Sequence, residues 1–328
     1  MINNFDFLKI VVFIFFILEL LVYALFIPIF KKQKVAQSIR EDGPKKHLLK
    51  SGTPTMGGIV FGIFILIMYF LLLLIEGKQI KTFNNLLIII SVIGYGIIGF
   101  IDDYLIVIKH NNKGINSNLK FILQLIIALI IYFIMLINNH NSSINFFGIS
   151  INLSFLYGVF LMFFFSATTN AVNLSDGVDG LASGIVITIL LGTMIYAYLR
   201  GNLEICLLSI SSIITILGFM FYNINPAKIF MGNTGSMVLG GLLSCIFVVL
   251  KIEFLLPIMG FTLVLETLSD IIQVSYFKLT KGKRFFKMAP FHHHLELSNF
   301  SEWQIDLIFW SFNLVMALIG VIIGVRLF

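Results

Sequence analysis

The strongest constraint on this chain is the recurrence of uninterrupted apolar runs that are too long for the interior of a soluble domain. Thr82 to Ile101 carries no charged side chain over twenty positions. Comparable runs recur at roughly 10–30, 55–75, 84–101, 121–138, 154–170, 181–199, 204–221, 236–250, 254–277 and 304–326. About 20 mostly apolar residues wind into a helix long enough to cross the hydrocarbon of a bilayer. The sequence therefore predicts an all-α polytopic integral membrane protein of ten transmembrane helices. Of 328 residues, 59% are hydrophobic and 12% charged, with a mean hydropathy of +1.01. The polar islands between runs are short, so one integral domain over 1–328 is expected, without a soluble module or repeat.

The charges give the expected orientation. If alternate loops lie on alternate sides, sixteen of the 22 Lys and Arg fall on the side of loop 31–54 and six on the other. That asymmetry predicts cytoplasmic loops at about 31–54, 102–120, 171–180, 222–235 and 278–303, with both termini extracytoplasmic. The first run is read as a retained span and not a signal peptide, because Asp6 joins Lys9 before it and Lys31, Lys32 and Lys34 follow it. The net charge of +6 then reflects topology, and no nucleic-acid partner is implied. Cys206 and Cys245 lie inside spans and are read as small packing residues.

Unusual polar chemistry collects in the loops assigned to the cytoplasmic side. Asp102 and Asp103 stand side by side where an apolar run ends. Two adjacent carboxylates repel each other, so keeping both ionised calls for a cation or strong donors, and a divalent metal is the first reading. Lys109, Lys113 and Lys120 follow and suit phosphate oxygens. In Gly52-Thr53-Pro54-Thr55-Met56-Gly57-Gly58 the Thr-Pro pair is expected to start a helix. The basic run Arg40 to Lys50 reads as an orientation or headgroup signal.

Asn173-Leu174-Ser175-Asp176-Gly177-Val178-Asp179-Gly180 has two acids three apart and no Lys or Arg. One acid is expected to cap the next helix, leaving the other for a ligand. Asn223 to Ser236 ends in a Gly-rich stretch at a helix start, a natural phosphate cradle. His292, His293 and His294 are consecutive and cannot all face one way on a helix, which argues against a three-His zinc site; one or two can donate to phosphates. Glu266 and Asp270 share a helix face inside a span, as intramembrane acids that serve either function or a structural hydrogen bond; Glu19 is read the same way. On the opposite side only Ser143 to Leu153 stands out, alternating weakly around Gly148 as a small hairpin does.

Taken together, these residues resemble the phospho-N-acetylmuramoyl-pentapeptide transferases over essentially the whole chain. The resemblance rests on five elements in order: Pro54-Thr55-Met56-Gly57-Gly58, Asp102-Asp103, Asn170 to Gly180, Phe230-Met231-Gly232-Asn233-Thr234-Gly235-Ser236, and Pro290-Phe291-His292-His293-His294. The first and last favour this branch over relatives that transfer N-acetylglucosamine phosphate to a polyprenyl phosphate. The resemblance implies a multi-pass protein of the bacterial cytoplasmic membrane with its site on the cytoplasmic face. The implied reaction is attack of undecaprenyl phosphate on the sugar-linked phosphate of UDP-N-acetylmuramoyl-pentapeptide, giving lipid I and UMP with Mg²⁺ as cofactor; a homodimer is the family tendency.

By the same resemblance, Asp102 is a base or positions the lipid phosphate, with Asp103 as its partner. Asp176, Asp103 and position 233 form the metal region. Lys120 and His292 to His294 contact phosphates. Asp179, Asn223 and Phe230 lie at the uridine, and Thr55, Asn173 and Gly177 lie beside the substrate. Asn233 departs from the family, which has Asp there as a metal ligand, so weaker Mg²⁺ binding is expected. A homologue that binds the precursor without turning it over stays open. An ion-coupled transporter is the rival from another class, and it is disfavoured because the polar groups gather at one face and not at mid-span.

Overall fold

The computed structural model describes residues 4–33, 50, 52–107, 109, 114–146 and 148–328. Most of the basic run and Lys34 and Lys113 lie outside them. The chain forms helices α1 (Asn4–Lys32), α2 (Gly58–Ile75), α3 (Phe83–Val107) and α4 (Ser117–Ile137), then strands β1 (Ser143–Phe146) and β2 (Ile149–Asn152). Helices α5 (Leu156–Ser175), α6 (Leu181–Leu199), α7 (Leu203–Asn223) and α8 (Gly232–Val249) follow, then short α9 (Leu256–Met259), α10 (Phe261–Leu279), short α11 (Phe291–Glu296) and α12 (Glu302–Leu327). Among the described residues nine helices are long and apolar enough to cross a membrane, or ten if the pair around Gly260 is one broken span.

α8 lies at the centre, enclosed by α2, α3 and α5. Only Asn233 and Val249 of its residues are not buried, so almost every face of it is packed. Close approach depends on small residues, as is usual where helices associate without water to drive them together. A Cβ on Gly58 would overlap the backbone of Gly235, and one on Gly99 would overlap the backbone of Asn233 and Thr234. α1 is peripheral, with Phe13, Leu21 and Leu25 exposed on its outer face. Cys206 and Cys245 are buried and unpaired, as small packing residues.

The ninth predicted run, 254–277, is not one straight helix: α9 and α10 meet at Gly260 with a bend of 81°. Hydropathy continues across the break, so a window average does not register it. A broken helix exposes backbone groups that lipid cannot satisfy. Here Asn313 of α12 satisfies them: its Oδ1 accepts from Thr262 N at 3.1 Å and Thr262 Oγ1 at 2.8 Å, and its Nδ2 donates to Met259 O at 3.0 Å.

Other boundaries also differ from the sequence reading. α3 continues to Val107 and α5 to Ser175, beyond where their apolar runs stop. Asp102 and Asp103 are therefore one turn inside a helix, because neighbouring elements provide their partners. Thr53-Pro54 does not start a helix; α2 begins at Gly58. Pro54 O instead accepts Phe230 N at 2.8 Å, and Gly57 N donates to Phe230 O at 2.9 Å, which ties this segment to the approach to α8. The anticipated hairpin is present, with Ile144 opposite Ile151 and Phe146 opposite Ile149. Lys251 Nζ secures it to Asn141 O at 2.6 Å and Tyr157 Oη at 2.9 Å. Arg200 brings the chain end Phe328 to the same pole.

Candidate active site

Segments distant in sequence converge at the pole opposite the hairpin, and the convergence starts at α8. Its first N–H groups have no intrahelical acceptor, and Met231, at the N-cap, makes no side-chain cap. Asp103 supplies the missing acceptors from α3. Its Oδ1 accepts from Asn233 N at 2.9 Å and Asn233 Nδ2 at 3.1 Å, and its Oδ2 from Thr234 N at 2.8 Å and Thr234 Oγ1 at 2.6 Å. The positive end of a helix is where a carboxylate is stabilised. The helix start at 230–236, expected to cradle a phosphate, is instead taken up by the protein's own carboxylate, Asp103.

Asp102 faces α4. Its Oδ1 accepts Ile115 N at 2.7 Å and its Oδ2 accepts Lys120 Nζ at 2.9 Å. Lys120 lies in the first turn of α4, where the helix dipole disfavours a cation. Two oxygens offset that penalty, Asp102 Oδ2 and Asn233 Oδ1, the latter also at 2.9 Å. A continuous chain results: Asp102, Lys120, Asn233, Asp103. Both aspartates are buried, at 5% and 3% exposure, which rules out a merely solvated helix end.

The next layer carries unsatisfied groups. Asp176 follows the last residue of α5, and among the described residues its carboxylate accepts no hydrogen bond. Burial, with Asp103 and Asp179 adding their charges against a smaller opposing effect of Lys50, pushes its carboxyl well above the usual range. Asn173, one turn earlier, accepts Ser236 Oγ at 2.9 Å and binds α5 to α8. The Thr55 Oγ1 is buried without a partner among the described residues and lies over Gly232. His292 is also fully buried. Its backbone N donates to Glu266 Oε1 at 3.1 Å, and its Nδ1 is 2.7 Å from Glu266 Oε2. Its other nitrogen, Nε2, has no partner among the described residues and is aimed at Gly177, where a Cβ would collide with it. A carboxylate thus orients a ring whose free nitrogen faces the Asp176 loop, the arrangement of an oriented acid or base.

The three histidines diverge as expected. His293 Nδ1 is 2.6 Å from Glu296 Oε2, while His294 accepts Lys287 N at 3.1 Å and stacks on Phe291. His292 is the one whose ring nitrogen reaches Gly177, next to Asp176. Glu266 therefore makes a structural hydrogen bond and orients the His292 ring; Asp270, one turn on, has no such bond among the described residues and nothing in the structure explains it. Glu19 does not make the helix-bridging bond considered for it: neither carboxylate oxygen has a partner among the described residues, and it faces Gly218.

A second cluster adjoins the first. Neither Asp179 nor Asp176 caps α6, whose N-cap is Gly180 without a side-chain bond. Asp179 instead accepts Lys50 Nζ at 2.7 Å, Asn225 Nδ2 at 3.2 Å and Ala227 N at 2.9 Å. Lys50 also reaches Glu302 Oε2 at 2.7 Å. Burial alone lowers the Lys50 ammonium, but Asp179 and Glu302 outweigh it and hold it above the usual lysine range. Asn223 is buried and bonded at both ends of its carboxamide, accepting Gly180 N at 3.1 Å and Ser183 Oγ at 3.2 Å and donating to Ile229 O at 3.0 Å. It positions the 224–231 loop, which carries the half-buried Phe230.

Asp306, at 0% exposure, completes this cluster with both oxygens unpartnered among the described residues, one facing Gly180. Lys50, Glu302 and Asp306 were not singled out from sequence. Lys50 was hidden in a basic run. Glu302 and Asp306 sit at the start of α12, behind an ordinary Ser301/Gln304 capping box.

Known proteins resemble this chain over most of its length. Residues 85–251 match the family described as Glycosyl transferase family 4, and 50–61 match Phospho-N-acetylmuramoyl-pentapeptide-transferase signature 1. The phospho-N-acetylmuramoyl-pentapeptide-transferase of Staphylococcus carnosus is 43% identical over 95% of this chain and 97% of its own length. That of Staphylococcus epidermidis is 44% identical over 96% and 100%, and that of Staphylococcus aureus 45% over 92% and 94%. Identity of this extent over nearly all of both chains leaves one conclusion: this multi-pass bacterial membrane protein belongs to the phospho-N-acetylmuramoyl-pentapeptide transferase family.

Proposed function

We propose that this enzyme transfers phospho-N-acetylmuramoyl-pentapeptide from UDP-N-acetylmuramoyl-pentapeptide to undecaprenyl phosphate, forming lipid I for peptidoglycan synthesis. An oxygen of the lipid phosphate bonds to the sugar-linked phosphorus, the bond from that phosphorus to the UMP oxygen breaks, and UMP leaves. The observation that carries the reading is the Asp102–Lys120–Asn233–Asp103 chain beside Asp176 and the Glu266–His292 pair, all at one pole. Phosphoryl transfer is mainly positioning and charge neutralisation. Much of a phosphate monoester is doubly ionised at neutral pH, its second pKa being about 6, so the lipid phosphate needs little help from a base. Asp102, already holding two donors, is assigned to fixing Lys120 against that phosphate.

His292 is assigned to donate Nε2–H to a phosphate oxygen of the nucleotide when its ring carries both protons, the Nδ1–H being accepted by Glu266, with Thr55, Asn173 and Gly177 shaping the floor beneath it. Phe230 is assigned to stack on the uracil, with Lys50 and Asp179 at the rim and Asn223 holding the loop. His293 and His294 shape the segment around His292. The charge asymmetry favours this pole facing the cytoplasm and both termini facing outward, in one integral domain.

The donor set does not make a resident Mg²⁺ cage. Among the described residues no group of three or more His, Cys, Asp or Glu is arranged to hold a metal. Position 233 is neutral, its oxygen holds an ammonium, and Asp103 is saturated. Asp176 offers a carboxylate that accepts no hydrogen bond among the described residues, beside Asp103, and Mg²⁺ is commonly bound by one or two carboxylates plus substrate phosphates. A metal therefore fits here only together with the diphosphate, and no step above is routed through it. The test is UMP release by purified protein. It is expected to require both substrates and to fall in Asp102→Asn far more than nucleotide binding does. Equal losses of both would refute the role given to Asp102.

A further inference from the structure

The side chain of Asn233 lies between an ammonium and a carboxylate, and its orientation is fixed by their chemistry. Lys120 has only donors, so the atom 2.9 Å from it is the carboxamide oxygen. Asp103 as a carboxylate has only acceptors, so the NH₂ group faces it, at 3.1 Å. An ionised carboxylate offers about four acceptor positions, and four donors fill those of Asp103. A carboxylate at position 233 would keep the bond to Lys120 but would have no donor for Asp103, and two carboxylates at that separation need a proton or a cation between them.

We infer that the Asn233 carboxamide is a positioning residue that makes Lys120 the resident cation of the site and withholds Asp103 from metal ligation. The inference deepens the transferase reading and rests on it for the statement that the ligand is a diphosphate. The oxygen a divalent ion would take from position 233 is occupied by an ammonium, and the neighbouring carboxylate is bonded on both oxygens. The ligand-free enzyme thus holds divalent metal weakly, and metal binds together with the nucleotide diphosphate.

The experiment measures Mn²⁺ binding by electron paramagnetic resonance to the folded full-length protein, without nucleotide and with UDP. Wild type is expected to bind Mn²⁺ at least tenfold more weakly than Asn233→Asp without nucleotide, and the gap is expected to narrow when UDP is present. Affinities within twofold of each other without nucleotide overturn the inference. Lys120→Gln, which frees Asn233 Oδ1 and Asp102 Oδ2, is expected to tighten Mn²⁺ binding severalfold without nucleotide. Unchanged or weaker binding overturns the inference even if Asn233→Asp does not fold. UMP release on the same preparations separates the two readings. A tenfold gap in Mn²⁺ affinity with no turnover in any variant sinks the transferase reading and leaves the Asn233 assignment standing. Turnover with equal Mn²⁺ affinities does the reverse.

Discussion

Replacing Glu266 by Gln tests the site through a residue assigned no contact with substrate. The carboxylate accepts two hydrogens, from His292 N at 3.1 Å and from the Nδ1 side of its ring at 2.7 Å, in a pair with no exposure to solvent. A carboxamide has one acceptor. If its oxygen keeps the backbone N–H, its NH₂ faces Nδ1 and forces the ring proton to Nε2; if it keeps Nδ1, two N–H groups oppose each other. One hydrogen bond to a charged group is lost either way, about 1.5–3 kcal/mol. Partners that orient a functional imidazole typically contribute about 10–100-fold to activity. For Glu266→Gln we expect kcat to fall about 10–100-fold while UMP affinity changes less than threefold. ¹⁵N spectra of labelled histidine are expected to show a changed tautomer. Glu266→Ala leaves an imidazole buried without a partner and is expected to lower the melting temperature as well. An unchanged kcat and an unchanged ring tautomer in Glu266→Gln would refute the reasoning, since a merely structural glutamate would affect only stability.

Two further outcomes follow from the charges. The raised pKa of Asp176 means the folded state disfavours its ionised form; that penalty is present at neutral pH and vanishes below about pH 4, where the unfolded chain is protonated too. Asp176→Asn is therefore expected to melt higher than wild type at pH 7, to lose that advantage as pH falls to about 4, and to lose turnover. A thermal melt series that is flat across this range contradicts the assignment. Lys50→Met leaves Asp179 and Glu302 facing each other next to Asp306. Breaking a buried pair in this way costs about 3–5 kcal/mol, toward the lower end here because the lysine retains some solvent contact. UMP affinity by titration calorimetry is expected to fall at least tenfold; an unchanged affinity removes Lys50 from the nucleotide end.

Much of the site was legible because membrane sequences make polar residues conspicuous. Asp102, Asp103, Asp176, Lys120 and Asn233 stand out against apolar runs, and the structure brings them together. Their partners were not legible. Whether the N-terminus of α8 cradles a ligand or a side chain depends on Asp103 arriving from 130 residues away, and no local pattern encodes that. Glu266 was visible as an intramembrane acid, but its pairing with His292 depends on how α11 folds back. The break at Gly260 was missed because apolar composition continues across it, although Pro257 and Gly260 were there to be read. Asn313, which makes the break tolerable, is by sequence a single polar residue within an apolar run and was not singled out. In each case the residue types were readable and the tertiary pairing was not.

The central claim concerns which bond breaks. Purified protein in lipid, given UDP-N-acetylmuramoyl-pentapeptide labelled with ³²P in the sugar-linked phosphate and unlabelled undecaprenyl phosphate, tests it in a single turnover. The account predicts label in the lipid fraction, one unlabelled UMP for each labelled lipid, and no label transfer without the lipid phosphate. Label released as inorganic phosphate or retained on the nucleotide, by protein shown to be folded, would contradict it.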